Sequence, residues 1–531
     1  MASADQPFFD ATAYGNGPND TVTDATEDAA VTHHTVTLGG RPIAYTAAAG
    51  HLVTVDPSSS KPAAKIFYVA FTADDPNPTE RPVTFFYNGG PGSSSVFLLL
   101  GSFAPMRLKT AMPDFTPPAP YTLEPNGDSL LDKSDLVFIN PVGTGYSAAI
   151  APNVNRDFWG VDRDAASLRQ FIKRYLTRYD RWNSPKFLFG ESYGTARSCV
   201  LAYLLHEDGV DLNGVTLLSS ILDYSQAGNP VGLLPTLSAD AWYHRKITVT
   251  PAPADLPSFM NAVVPFAQND YARALADFPN SDPAAVRTLS DCTGIPPVVL
   301  TSWEGLNVAD ASTTGTLHFL TTLMRSEGRV LGAYDGRVLG IDTGIAAAIS
   351  PLSGGNDATM TAVTGAYTAA WNSYLNDGLK FTSTSAFTDL NDQAFVNWDF
   401  GHIDPTGAQK GRDVNGNVVL YTAGDLAALM ALNVDLKVLS ANGYFDSVTP
   451  FSQTVTDLAN MPLTDPAVRR NLTIRYYPSG HMAYLDGHSR TALKADQAAL
   501  YDSAVGDRPA VERIRAMQLA RRTDDARSRQ T

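Results

Sequence analysis

The sequence predicts an α/β protein with a mostly parallel central sheet covered by helices on both faces. Three observations carry that prediction. Short apolar runs recur along the chain: "PVTFFY" (82–87), "SDLVFIN" (134–140), "KFLF" (186–189), "GVTLLSS" (214–220), "LKVLSA" (436–441) and "LTIRYY" (472–477). Helical patterns separate several of them, and strands buried on both faces alternating with amphipathic helices are the signature of a covered parallel sheet. Between the third and fourth runs stands "GESYG" (190–194), one serine between two glycines where a strand turns into a helix.

The elements follow in order. Residues 1–33 are polar and are expected to be loosely ordered. "HTVTLGGRPIAYTAAAGHLVTV" and "AKIFYVAFTADD" alternate in strand fashion about Gly-Gly and Asp-Asp turns, which predicts an antiparallel entry to the sheet. In 161–176, Val161, Ala165, Leu168, Phe171, Ile172, Tyr175 and Leu176 fall at helical spacing. From about 226 to 425 the rhythm breaks. That segment is rich in Ala, Thr, Asp, Pro and Gly, with helical stretches such as "TLHFLTTLMRSEG", and is expected to form a largely helical cap. The expected organisation is therefore a core of 34–225 and 426–510, a cap of 226–425, and a charged tail of 511–531.

Composition narrows the function. The 531 residues are 44% hydrophobic and 18% charged, a globular balance, and the net charge of −15 argues against a nucleic-acid partner. No run of 18 apolar residues suggests a membrane span. The N-terminus lacks the apolar centre of a leader peptide, although Ala2-Ser3-Ala4 looks like the end of a cleaved one, so a cytoplasmic chain and a processed one both stay open. Two cysteines, Cys199 and Cys292, exclude a disulfide scaffold and any metal site needing three or more thiolates. Cys199 reads as a small buried hydrophobe; whether the two pair is not legible.

Gly-x-Ser-x-Gly between a strand and a helix is the arrangement that exposes a strained serine at a sheet edge. An ordinary glycine-rich turn would give the same five residues, but the flanking strand and helix favour the nucleophile. A serine hydroxyl needs a base, and the base an orienting acid. Downstream, Asp446 lies just past one predicted strand and His481 just past the next, in the order Ser, Asp, His. Ser192, Asp446 and His481 thus all fall beyond the carboxyl ends of strands, where open sheets build their sites. "FFYNGGPGSSSVF" (85–97) ends a strand in unhindered backbone N–H groups. It lacks the spacing of a dinucleotide site and no phosphate-loop lysine follows, so no cofactor and no metal are expected. An oxyanion hole fits, with one N–H from this loop and one from Tyr193.

Taken together, "NGGPGSSS", "NPVGTGYS", "GESYG", "NGYFDSVTP" and "SGHMAYLD" resemble, in order, the blocks of the serine carboxypeptidase family. The resemblance implies an α/β-hydrolase fold with a helical insertion and peptide substrates with a free C-terminus. It implies Ser192 as nucleophile, His481 as base, Asp446 as its partner, and Gly90 and Tyr193 as oxyanion donors. Asn88, Gly89 and a protonated Glu191 would bind the substrate's terminal carboxylate. Three positions depart from the family. Its tryptophan before the Asn-Gly-Gly block is Phe86, its second carboxylate-binding glutamate falls on Ser102, and its cysteine after the glycines is Ser93, so the usual bridge there is absent. An acyltransferase or esterase on the same triad, or an inactive binding protein, are the competing readings.

Overall fold

The computed structural model describes residues 4–74, 77–312, 315–342, 357–408 and 418–505. Nine main strands form the central sheet: β1 (Ala29–Leu38), β2 (Arg41–Val55), β3 (Pro62–Ala73), β4 (Val83–Tyr87), β5 (Asp135–Ile139), β6 (Lys186–Glu191), β7 (Gly214–Leu218), β8 (Lys437–Gly443) and β9 (Leu472–Tyr477). Their spatial order is β9-β8-β7-β6-β4-β5-β3-β2-β1. β1, β2 and β3 pair antiparallel, β3 meets β5 antiparallel, and every pair from β5 through β9 is parallel. This is the α/β-hydrolase fold, with the expected antiparallel entry.

The longer helices are α1 (Val161–Arg178), α2 (Tyr193–Glu207), α3 (Pro230–Tyr243), α4 (Leu256–Phe266), α5 (Pro283–Thr293), α6 (Ala358–Ser373), α7 (Ala423–Leu432), α8 (Phe451–Asn460) and α9 (Gly487–Val505). Among the described residues no helix is long and apolar enough to cross a membrane.

Two cores follow from the period of two along the strands. Phe86, Phe138, Phe187 and Phe189 face one side, with Tyr367 of α6 and Leu493 and Tyr501 of α9. Phe85, Tyr87, Val137, Ile139 and Leu188 face the other, with residues of α1, α2 and α7. Phe86, where the resemblance implies a tryptophan, is fully buried and stacked between Phe138 at 4.7 Å and Phe189 at 5.0 Å. Cys199 and Cys292 are both free and lie in separate cores.

The segment between β7 and β8 builds an apolar core of its own around Leu233, Leu237, Tyr271, Leu289 and Phe319, and its Phe259 and Met260 pack in a second core with Tyr444, Phe445 and Phe451, which follow β8. Its later part behaves differently. Tyr367 and Trp371 of α6 pack into the sheet's core. Leu390 and Thr388 form bridges with Ser93 and Gly145, on loops after β4 and β5.

The N-terminal residues, expected to be loose, are instead held against the sheet. Phe8–Asp10 pairs with Phe381–Ser383, and β1 begins at Ala29. Their polar side chains, which suggested looseness, are partnered: Tyr14 Oη donates to Asp10 Oδ2 at 2.7 Å, and Lys65 Nζ to Asp24 Oδ2 at 2.5 Å. The tail 511–531 lies outside the described residues.

Candidate functional site

Ser192 ends β6 and caps α2 with φ 60° and ψ −130°. A non-glycine residue there stores about 1–3 kcal/mol of strain. The neighbouring glycines permit the turn. A side chain at Gly190 would strike the Gly194 carbonyl and Ser198 Oγ, and one at Gly194 would crowd the carbonyls of Tyr87 and Asn88. Ser192 N donates to Leu218 O at 3.0 Å, which pins the elbow to β7.

The next residue of the β7 edge ties the elbow to His481. Ser219 Oγ donates to the His481 carbonyl at 2.6 Å. His481 Nδ1 lies 2.8 Å from Asp446 Oδ2, the bond that would fix its tautomer and leave Nε2 for the serine. Asp446 is fully engaged. Its Oδ1 accepts the N–H groups of Val448 and Thr449, each at 2.9 Å, and its Oδ2 also accepts Thr449 Oγ1 at 2.6 Å. Burial disfavours charge on His481, but the Asp446 carboxylate outweighs it, and the imidazole is held above its ordinary range. The structure brings Asp446 and His481 into contact, while Ser192 Oγ makes no hydrogen bond among the described residues.

The Asn-Gly-Gly loop lies against the start of α2. A side chain at Gly89 would sit 2.5 Å from Tyr193 N, so only glycine allows this approach. Tyr193 is the first residue of its helix, and its N–H has no intrahelical acceptor. Gly90 holds φ +100°, open to glycine alone. Asn88 is fixed on three sides. Its carbonyl accepts Arg197 Nη1 at 2.6 Å, its Oδ1 accepts Leu98 N at 3.1 Å, and its Nδ2 donates to Glu191 Oε2 at 3.0 Å. Burial pushes the Glu191 carboxyl up to about 7, against the pull of the nearby His481. Ser102, in the place of a second acid, is buried with its Oγ donating to Leu98 O at 2.6 Å.

Several contributors were not visible in the sequence. Tyr334 O accepts His481 N at 2.6 Å, and its ring meets the imidazole edge-on at 5.2 Å. Asp335 accepts Gly480 N at 3.1 Å and pairs with Arg337, which also reaches Asp486 at 3.0 Å. These residues arrive from over a hundred positions away, with no local signal. Thr449 did leave one: a serine or threonine three residues after an aspartate is a turn pattern. Beside Thr449 a cavity of about 250 Å³ opens between core and insertion, lined by Leu233, Leu317, Leu320, Tyr334 and Val448, with Asp457 at its wall.

Residues 40–230 match the model of the family described as serine carboxypeptidase, a span that holds Asn88, Gly90 and Ser192 but ends before Asp446 and His481. Among curated proteins, serine carboxypeptidase-like 5 of Arabidopsis thaliana is 30% identical over 131 residues, 24% of this chain and 28% of that protein. Serine carboxypeptidase-like 13 of the same plant is 28% identical over 171 residues, 32% of this chain and 36% of that protein. The matches thus span about a third of these relatives' lengths. Among solved structures, Kex1 of Saccharomyces cerevisiae, a prohormone-processing carboxypeptidase, superposes with a TM-score of 0.49 at 16% identity, covering 85% of this chain and 92% of that one. Over residues 40–230 the chain is similar to the serine carboxypeptidase family.

Proposed function

We propose that this chain is a serine-type carboxypeptidase that releases C-terminal residues from peptides through an acyl-enzyme. The observation that carries the reading is the 2.8 Å contact of His481 Nδ1 with Asp446 Oδ2, tied through Ser219 to the strained elbow of Ser192. In this reading Ser192 Oγ attacks the last peptide carbonyl while His481 takes its proton. The N–H groups of Gly90 and Tyr193 receive the oxyanion. The protonated imidazole then gives its proton to the leaving amine. Water, activated by the same histidine, releases the acyl group. Asn88, Gly89 and neutral Glu191 hold the terminal carboxylate, and the insertion after β7 forms the cap that shapes the pocket.

Ser102 favours a second reading. Its hydroxyl is spent on Leu98 O, so the second acid implied by the resemblance has no substitute at that position. An acyltransferase or esterase on the same triad would not need one. The test is the release of amino acids from N-blocked peptides, free or amidated at the C-terminus. A carboxypeptidase cleaves the free form far better. Equal cleavage of both, or turnover of esters alone, selects the second reading.

A further inference from the structure

Two buried tyrosines stand beside Glu191. Tyr367 comes from α6, and Tyr484 follows His481 by three residues. Both are fully buried, at 1% and 0% exposure; among the described residues neither hydroxyl makes a well-formed hydrogen bond, although that of Tyr484 lies within the influence of Glu191 and Asn88. Burying a hydroxyl without a well-formed hydrogen bond is costly, so two side by side call for an explanation. They converge over Gly101, where a side chain would strike Tyr367 Oη and the Tyr484 ring. Tyr367 is held in place by stacking on Phe97 at 4.4 Å. Their surroundings suit an anion while Glu191, the carboxyl that acts on both, is held neutral by burial, as it is below about pH 7. Tyr484 acts on Glu191 and on Asn88, and Arg107 and Arg490 act on Tyr367. Arg490 Nη1 also donates to the Tyr484 carbonyl at 3.0 Å. Burial keeps both phenols protonated, hence donors.

We propose that the hydroxyls of Tyr367 and Tyr484 donate hydrogen bonds to the substrate's terminal carboxylate, taking the place of the acid that Ser102 does not supply. The proposal rests on the carboxypeptidase reading of this site. It names the group recognised, a free α-carboxylate, and two donors from segments far apart in the chain.

The experiment uses the Ser192→Ala protein, which holds a peptide without cleaving it. Calorimetry measures its binding of one N-acylated dipeptide as the free acid and as the C-terminal amide. Adding Tyr484→Phe or Tyr367→Phe should weaken the free acid about tenfold, the worth of one hydrogen bond to a charged group, and leave the amide within twofold. Both changes keep the ring and its packing, and an unaltered thermal midpoint checks this. Equal affinity for acid and amide before the tyrosines are changed, or equal weakening of both after, would overturn the proposal. Cleavage of the same dipeptide by the unaltered enzyme is scored separately. Acid-selective binding that depends on the tyrosines, without cleavage, would keep the carboxylate site and remove the peptidase reading.

Discussion

On the proposed carboxypeptidase reading, Glu191 and His481 set opposite limits on the pH at which this site works on a peptide. Glu191, raised to about 7 by burial, is neutral below that pH and can donate to a carboxylate. Above it, the carboxylate it becomes repels the substrate's own. His481, raised above its ordinary value, must lose its proton before it can accept one from Ser192. Peptides with a free C-terminus should therefore give a bell-shaped profile of kcat/KM. Its acid limb follows His481 and its alkaline limb Glu191, falling about tenfold per pH unit well past 7. Amidated peptides should show the acid limb alone. Glu191→Gln, a neutral donor at every pH, should remove the alkaline limb for the free peptides. Superimposable profiles for free and amidated peptides would show that Glu191 does not read the carboxylate.

Beside the site, α1 and α2 are joined by a buried ion pair. Arg197 on α2 bonds Asp164 on α1 through Nε at 2.5 Å and the Asn88 carbonyl through Nη1 at 2.6 Å. Its guanidinium also lies over the rings of Tyr87 and Tyr193, at 5.4 and 5.1 Å. Removing one partner leaves a buried charge alone, which costs about 3–5 kcal/mol. Asp164→Ala should lower the urea-unfolding free energy by that amount. Lys173→Ala, which breaks the half-exposed pair of α1 with Asp208, should change it by less than about 1 kcal/mol. Comparable losses in the two variants would contradict this account of how α1 and α2 hold the elbow. α1 was legible as a helix because its apolar positions are periodic. The pairing of Asp164 with Arg197 was not, since a charged residue inside an apolar stripe carries no sign of its partner.

Across the whole molecule, what was legible depended on whether its cause was local. Strands β4 to β9 announce themselves as apolar runs, and Ser192, Asp446 and His481 each follow such a run, so sheet and candidate triad could be read together. The clamp of Tyr334, Asp335 and Arg337 on the His481 loop, and the arrival of Tyr367 beside Glu191, are products of the chain's return path. The N-terminal residues misled because polar composition looks the same whether its groups face water or one another. The insertion carries the prediction at this scale. Leu317→Trp should fill part of the cavity beside Thr449 and lower the preference for bulky over small side chains about tenfold. Labelling of Ser192 by a small fluorophosphonate should not change. An unaltered preference would remove the insertion from the substrate pocket.

The most direct test of the central claim, that Ser192 is activated by His481 and Asp446, is mass-spectrometric mapping of the fluorophosphonate adduct on the native protein and on His481→Ala. The account predicts one adduct, on Ser192 of the native chain, and a loss of labelling rate of roughly 10⁴-fold or more in His481→Ala. An adduct on another residue, or equal rates in the two proteins, would contradict it.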